Sequence, residues 1–244
     1  MSHDREQFRA DELAICLSHY DLGVLERIRE FPRGSRRAPK VVIDGERGRF
    51  LLKRRAKGKD ELPKVAFTHE IQLALAAQNF PLPHLLGTRR ENNSMLVRDG
   101  HIYELFEFID GRGYDRSLEA TQHAGHTLGL YHKLLADFHS DYEPSRGSYH
   151  NAGAIRQSIG NTVQALPLDA RPPAEELTSL VEALDDAYRA CTTAAEDAGL
   201  GDWPRQIVHG DWHPGNMLFR ERRVVAVIDY DSARLQPPVI DLAN

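Results

Sequence analysis

The chain has 244 residues, 41% of them hydrophobic and 27% charged, with two cysteines and a formal net charge of −5. Those proportions belong to a packed soluble protein and exclude collagen-like, coiled-coil and disordered classes. No stretch approaches the roughly 20 apolar residues of a membrane-spanning helix, the charged residues 1–21 do not form a signal peptide, and Cys16 and Cys191 lack the spacing of a zinc site or disulfide framework, so a cytoplasmic protein with no membrane partner is expected.

Residues 1–60 carry 15 Lys and Arg against 10 Asp and Glu, leaving 16 against 26 in the remainder. A basic first part suits phosphate groups, and an acidic remainder suits a cationic small molecule.

Apolar spacing at Phe8, Leu13, Ile15, Cys16 and Leu17 predicts a helix over residues 8–20, ended by Gly23. Strands follow at 24–31, 40–43 and 49–53, with Asp44-Gly45 as a hairpin signal. The first connection holds Gly34 and Ser35 among three arginines, and the third strand ends on Lys53. Arg54, Arg55, Lys57 and Lys59 extend that cluster without the interleaved aromatics of a nucleic-acid surface, so no nucleic-acid partner is expected.

A helix over 65–78 places Phe67, Ile71 and Leu75 on one face, carries Glu70, and stops at Asn79-Phe80-Pro81-Leu82-Pro83. Strands at 94–98 and 101–109 flank Asp99-Gly100, and a lobe boundary is expected at 107/108, where Glu107 and Phe108 end the strand pattern. A second long helix spans 121–138. Its His123 and His126 lack the accompanying carboxylate of a His-Glu-x-x-His site. Residues 141–173 are rich in turn formers with a short helix at 154–166, and a helix over 174–200 ends at Gly199 and Gly201.

The densest polar stretch is His209-Gly210-Asp211-Trp212-His213-Pro214-Gly215-Asn216, set between the apolar leads Ile207-Val208 and Met217-Leu218-Phe219. Pro214-Gly215 cannot sit inside a helix, so these polar residues form a loop held by two strands. Asp211 follows His209 by two residues, Asn216 follows Asp211 by five, and Asp229 follows Asn216 by thirteen at the end of an apolar strand. That layout supplies phosphoryl transfer: one carboxylate to take a hydroxyl proton, and an amide oxygen plus a second carboxylate for a hard divalent ion. A two-metal phosphoesterase built on Asp211-Trp212-His213 would want another histidine where Met217 stands.

With Ile228-Asp229-Tyr230-Asp231, the eight-residue run resembles the aminoglycoside phosphotransferase and choline kinase superfamily, which includes homoserine kinases and spore-coat-associated kinase-like proteins. The weaker likeness runs from about Tyr20 to Asn244, and Gly210 replaces the arginine of protein kinases, which favours the small-molecule branch. The resemblance implies an α+β, two-lobed protein-kinase-like fold. Residues 1–107 would form an antiparallel-sheet nucleotide-binding lobe and 108–244 a mainly helical catalytic lobe, with ATP between them. It implies Lys53 on the α- and β-phosphates with Glu70 as its acid partner, Gly34 and Ser35 in the nucleotide-covering loop, and Glu107 and Phe108 at the hinge that meets adenine. It further implies Mg²⁺ held by Asn216 and Asp229, Asp211 accepting the acceptor's hydroxyl proton, and His209 and Asp241 bracing the loop. The acceptor would be an amino alcohol, hydroxy amino acid or aminoglycoside. Relatives usually continue past the position of Asn244 with a helical segment, so the second lobe is expected to be short, and a non-catalytic nucleotide-binding or regulatory fragment is the alternative. No oligomeric state follows from the sequence.

Overall fold

Strand-forming residues between 24 and 108 build one antiparallel sheet in the computed structural model, which describes residues 5–144, 147, 151–166 and 171–243. Asp4 of the charged start, part of the turn-rich stretch including Pro167, and Asn244 lie outside the described residues. The first helix, α1 (Ala10–Leu17), is shorter than its apolar pattern. Glu12 turns back to accept the Arg9 N–H at 3.2 Å, which fixes its start, and Cys16 and Leu17 are its buried residues.

The sheet takes β1 (Leu25–Glu30), β2 (Lys40–Gly45), β3 (Gly48–Arg54), β4 (Leu96–Arg98) and β5 (His101–Glu107) in the order β1-β2-β3-β5-β4. Asp44-Gly45, expected to make the first hairpin turn, instead ends β2. The register pairs Gly45 with Gly48 around Glu46-Arg47, because Gly48 supplies the positive φ of 129°. Asp99-Gly100 does form the tip of its hairpin, with both residues at positive φ (49° and 72°).

Between β3 and β4 lies α2 (Leu62–Ala77), which begins earlier than expected because Pro63 is acceptable in a first helical turn. Next come α3 (Leu118–Leu134), capped by the Ser117 side chain accepting from the Ala120 N–H at 3.2 Å, α4 (Gly153–Ala165) and α5 (Ala174–Asp197). The remaining strands are short: β6 (Gln206–Val208) pairs with β9 (Arg234–Gln236), and β7 (Met217–Arg220) pairs with β8 (Arg223–Val227). One turn of helix, α6 (Val239–Leu242), follows.

Two apolar clusters form the interior. The first joins α1, β2, β3 and β5 through Cys16, Leu17, Val41, Ile43, Leu52 and Leu105. The second gathers Tyr131 and Leu128 of α3 with Trp212, Met217, Phe219 and Val227, and it also takes Phe67, Ile71 and Leu75 of α2. By sequence α2 sits within residues 1–107, yet its apolar stripe belongs to the core of the later residues. The sheet and the 209–231 segment are therefore held together by shared packing. Among the described residues no helix is long and apolar enough to cross a membrane.

Candidate active site

The polar loop leaves β6 at Val208 and is clamped from below by Asp241. This carboxylate, 1% exposed, accepts the backbone N–H of His209 at 2.9 Å and of Gly210 at 2.8 Å, and lies 2.8 Å from His132 Nε2 of α3. Pairing of β9 with β6 brings α6, and with it Asp241, under the loop. Gly210 has φ of 75°, and a Cβ there would lie 2.3 Å from the Ser232 carbonyl oxygen, so only glycine passes that crossing.

Asn216 faces Asp211 across the loop. Its Nδ2 donates to the Asp211 carbonyl at 3.0 Å and to Asp211 Oδ2 at 2.7 Å. With both amide protons spent, Asn216 Oδ1 is left as an acceptor. Met217 opposes Val227, and the Ile228 N–H bonds the Asn216 carbonyl at 2.9 Å, so Asp229 emerges beside Asn216 at the end of the hairpin. Asp229 has left-handed backbone (φ 66°, ψ 67°), which turns the chain sharply there.

His209 is fully buried, packs edge-on to Trp212 with ring centroids 5.5 Å apart, and donates from Nε2 to the Ile228 carbonyl at 3.2 Å. Burial pushes its imidazole below the ordinary 6.5, against the pull of Asp241, so the ring is neutral at pH 7. It joins the strand before the loop to the strand after it, as a brace would.

On the sheet side, Lys53 Nζ lies 3.2 Å from Glu104 Oε2. The expected pairing with Glu70 is not the one made: Glu70 accepts the Ser140 hydroxyl instead. Consecutive helix residues point about 100° apart, and in α2 it is His69 that turns toward the sheet, its Nε2 2.8 Å from Glu104 Oε1. Glu104 Oε1 also accepts from Arg55 at 2.5 Å. Burial alone would raise the Glu104 carboxyl, but Lys53, His69 and Arg55 together hold it well below the usual range.

Lys40, directly opposite Lys53 in the β2–β3 register, donates to the carbonyls of Arg33 at 3.2 Å and Ala38 at 3.4 Å. Burial and then the neighbouring Lys53 lower its ammonium below the ordinary value. The sequence pattern missed Lys40, Glu104 and His69, and it marked Arg55 only as part of a basic run. Strand pairing was the available signal, since it sets Lys40 and Glu104 on either side of Lys53.

Gly34 takes φ of 72° in the β1–β2 connection, Ser35 Oγ accepts the Arg37 N–H at 3.2 Å, and Arg5 binds the carbonyls of both Gly34 and Ser35. At the expected hinge, the Glu107 N–H bonds the His84 carbonyl and the Phe108 N–H the Arg49 carbonyl, each at 2.9 Å. Sheet pairing and the 84–86 segment thus consume both donors expected to meet adenine. Ile109 is the next residue, and its N–H has no backbone partner among the described residues.

Known proteins resemble most of the chain. Stress response kinase A of Salmonella choleraesuis (strain SC-B67) is 22% identical over 200 residues, covering 82% of this chain, which spans 56% of that protein's length. The homoserine kinase of Zymomonas mobilis subsp. mobilis (strain ATCC 31821 / ZM4 / CP4) is 25% identical over 236 residues, covering 96% of this chain and 68% of its own. The structure of amicoumacin kinase hAmiN in complex with AMP-PNP, Ca²⁺ and Ami superposes with a TM-score of 0.69 at 11% identity, over 96% of this chain and 68% of that one, and shares the two-lobed kinase-like fold. The model of the phosphotransferase enzyme family matches residues 27–244, and the chain belongs to that family.

Proposed function

We propose that the protein is an ATP-dependent phosphotransferase of the cytoplasm that moves the γ-phosphoryl group to a hydroxyl of an amine-bearing small molecule. The observation that carries this reading is the Asp211–Asn216 pair. The asparagine spends its N–H groups on the aspartate, which leaves its side-chain oxygen as an acceptor, and its backbone carbonyl takes the N–H of Ile228, one residue before Asp229.

That donor set fits magnesium, a hard cation that takes oxygen ligands and keeps several from phosphate and water. Among the described residues no three His, Cys, Asp or Glu side chains converge as a metal site of their own, so Asn216 and Asp229 would share the ion with a nucleotide. Bound there, Mg²⁺ would supply charge neutralisation at the phosphate oxygens. The chain's own groups do the rest. Lys53, with Gly34 and Ser35 covering, would meet the α- and β-phosphates, and the Ile109 N–H would meet the adenine edge. Asp211 Oδ1 would take the proton of the acceptor hydroxyl as its oxygen bonds the γ-phosphorus and the bond to the bridging oxygen breaks, releasing ADP. His213 Nε2 lies 3.6 Å from Asp211 Oδ1.

The acidic balance of residues 61–244 supports a cationic acceptor, and relatives are named for a hydroxy amino acid and for an amicoumacin. Measuring ATP consumption against amino alcohols, hydroxy amino acids, aminoglycosides and protein serine tests the reading. Asp211→Asn is expected to lower turnover by about 10²- to 10⁴-fold while nucleotide affinity stays near that of the parent. Unchanged turnover would remove Asp211 from the role, and nucleotide binding with no transfer to any acceptor would leave a non-catalytic binder.

A further inference from the structure

Glu104 stands opposite Lys53 in the β3–β5 register, so the two side chains share one face of the sheet. It is 1% exposed and divides its oxygens between tasks. Oε1 takes His69 and Arg55, while Oε2 makes no hydrogen bond among the described residues and has the Lys53 ammonium 3.2 Å away as an ion pair. Arg55 continues the chain. Its Nε donates to the Lys59 carbonyl at 2.6 Å, one terminal nitrogen goes to Glu104, and the other goes to Asp231, two residues beyond Asp229. Burial lowers the guanidinium's proton affinity, and Glu104 and Asp231 more than offset this, so it stays charged. For Asp231 burial works upward, and Lys53 and Arg55 bring the carboxyl down.

The result is a continuous run of ion pairs, Lys53–Glu104–Arg55–Asp231, from the sheet to the turn beside the proposed metal ligand. We propose that Glu104 is the positioning acid of Lys53 and that Arg55 sets its spacing from the Asp229 turn. Strand β5 and the residue after β3 then perform what a carboxylate of α2 was expected to do. A lysine carries its charge on a long flexible stem and loses that freedom when ordered. A fixed carboxylate on the adjacent strand confines the ammonium before nucleotide arrives, so the benefit appears in nucleotide affinity. The inference rests on the phosphotransferase reading for the phosphate role of Lys53.

The test titrates the full chain with a fluorescent ADP analogue and with AMP-PNP, each with Mg²⁺, and measures KM for ATP and for the acceptor separately. Glu104→Gln is expected to weaken analogue binding and raise KM for ATP at least ten-fold, leave KM for the acceptor within two-fold, and cost at least ten-fold more than Glu70→Gln. Glu104→Asp, which keeps the charge on a shorter arm, should fall between parent and Glu104→Gln. It also carries the test alone if the glutamine variant does not fold, since parental affinity in Glu104→Asp would then overturn the proposal. Arg55→Lys cannot reach both carboxylates and should raise the Mg²⁺ needed for half-maximal AMP-PNP binding several-fold. Parental affinity in Glu104→Gln together with lost affinity in Lys53→Met overturns the positioning role, as does an equal loss in Glu70→Gln. Parental affinity in Lys53→Met overturns the phosphate role of Lys53 and the positioning role with it.

Discussion

A buried carboxylate among cations makes folding depend on acid. Glu104 faces Lys53, Arg55 and His69, with Asp231 one bond further along. Its folded carboxyl is held below the ordinary 4.5 against the upward push of burial, so the unfolded chain takes up the proton first as pH falls. The stabilisation is therefore complete above about 4.5 and lost progressively below it. Thermal midpoints recorded from pH 7 down to 3 should fall less steeply for Glu104→Gln than for the parent; parallel curves would show that the ion cluster does not govern acid stability. At this scale the meeting of Asp211 with Asn216 was legible because both stand in one short polar run. Glu104 was not legible. It sits between Tyr103 and Leu105, both buried, in a strand whose neighbours are fixed only by pairing.

Whole elements were easier to read than their phase. The long apolar patterns gave α2, α3 and α5 nearly their observed spans, yet in α2 it is His69 and not Glu70 that faces the sheet, and the carboxylate beside Lys53 comes from Glu104 of β5. β9 and α6 escaped notice because three or four residues carry no periodicity. Their importance lies in what they carry: α6 contributes one side chain to the loop, Asp241, which satisfies two buried N–H groups at once. Asp241→Asn leaves one oxygen for both, and an orphaned buried donor costs about 1–3 kcal/mol. At about 2–4 °C per kcal/mol for a chain of this size, thermal unfolding should come several degrees earlier, with a larger proportional drop in turnover than in stability. A variant as stable and active as the parent would show that the clamp is dispensable.

Across the molecule, the sheet has its own core and α2 packs into the other, so the two cores share a helix. A ligand bound only by the folded chain stabilises it by mass action, about 2.7 kcal/mol at one hundred times Kd. AMP-PNP with Mg²⁺ should accordingly raise the thermal midpoint, EDTA should remove the metal-dependent share, and Asp229→Ala should lack that share from the outset. An EDTA effect of equal size in Asp229→Ala would take Asp229 out of the metal site. The two-lobed architecture was anticipated through the resemblance carried by residues 209–216 and 228–231, whereas the sharing of α2 could not be, since periodicity reports that a face is buried and not what covers it.

The reach of Arg55 from the end of β3 to Asp231 limits how this molecule can breathe. One guanidinium ties the sheet to the turn after Asp229, so the two cannot drift apart in parallel without stranding a charge from which water is excluded. Any opening between them pivots at that pair.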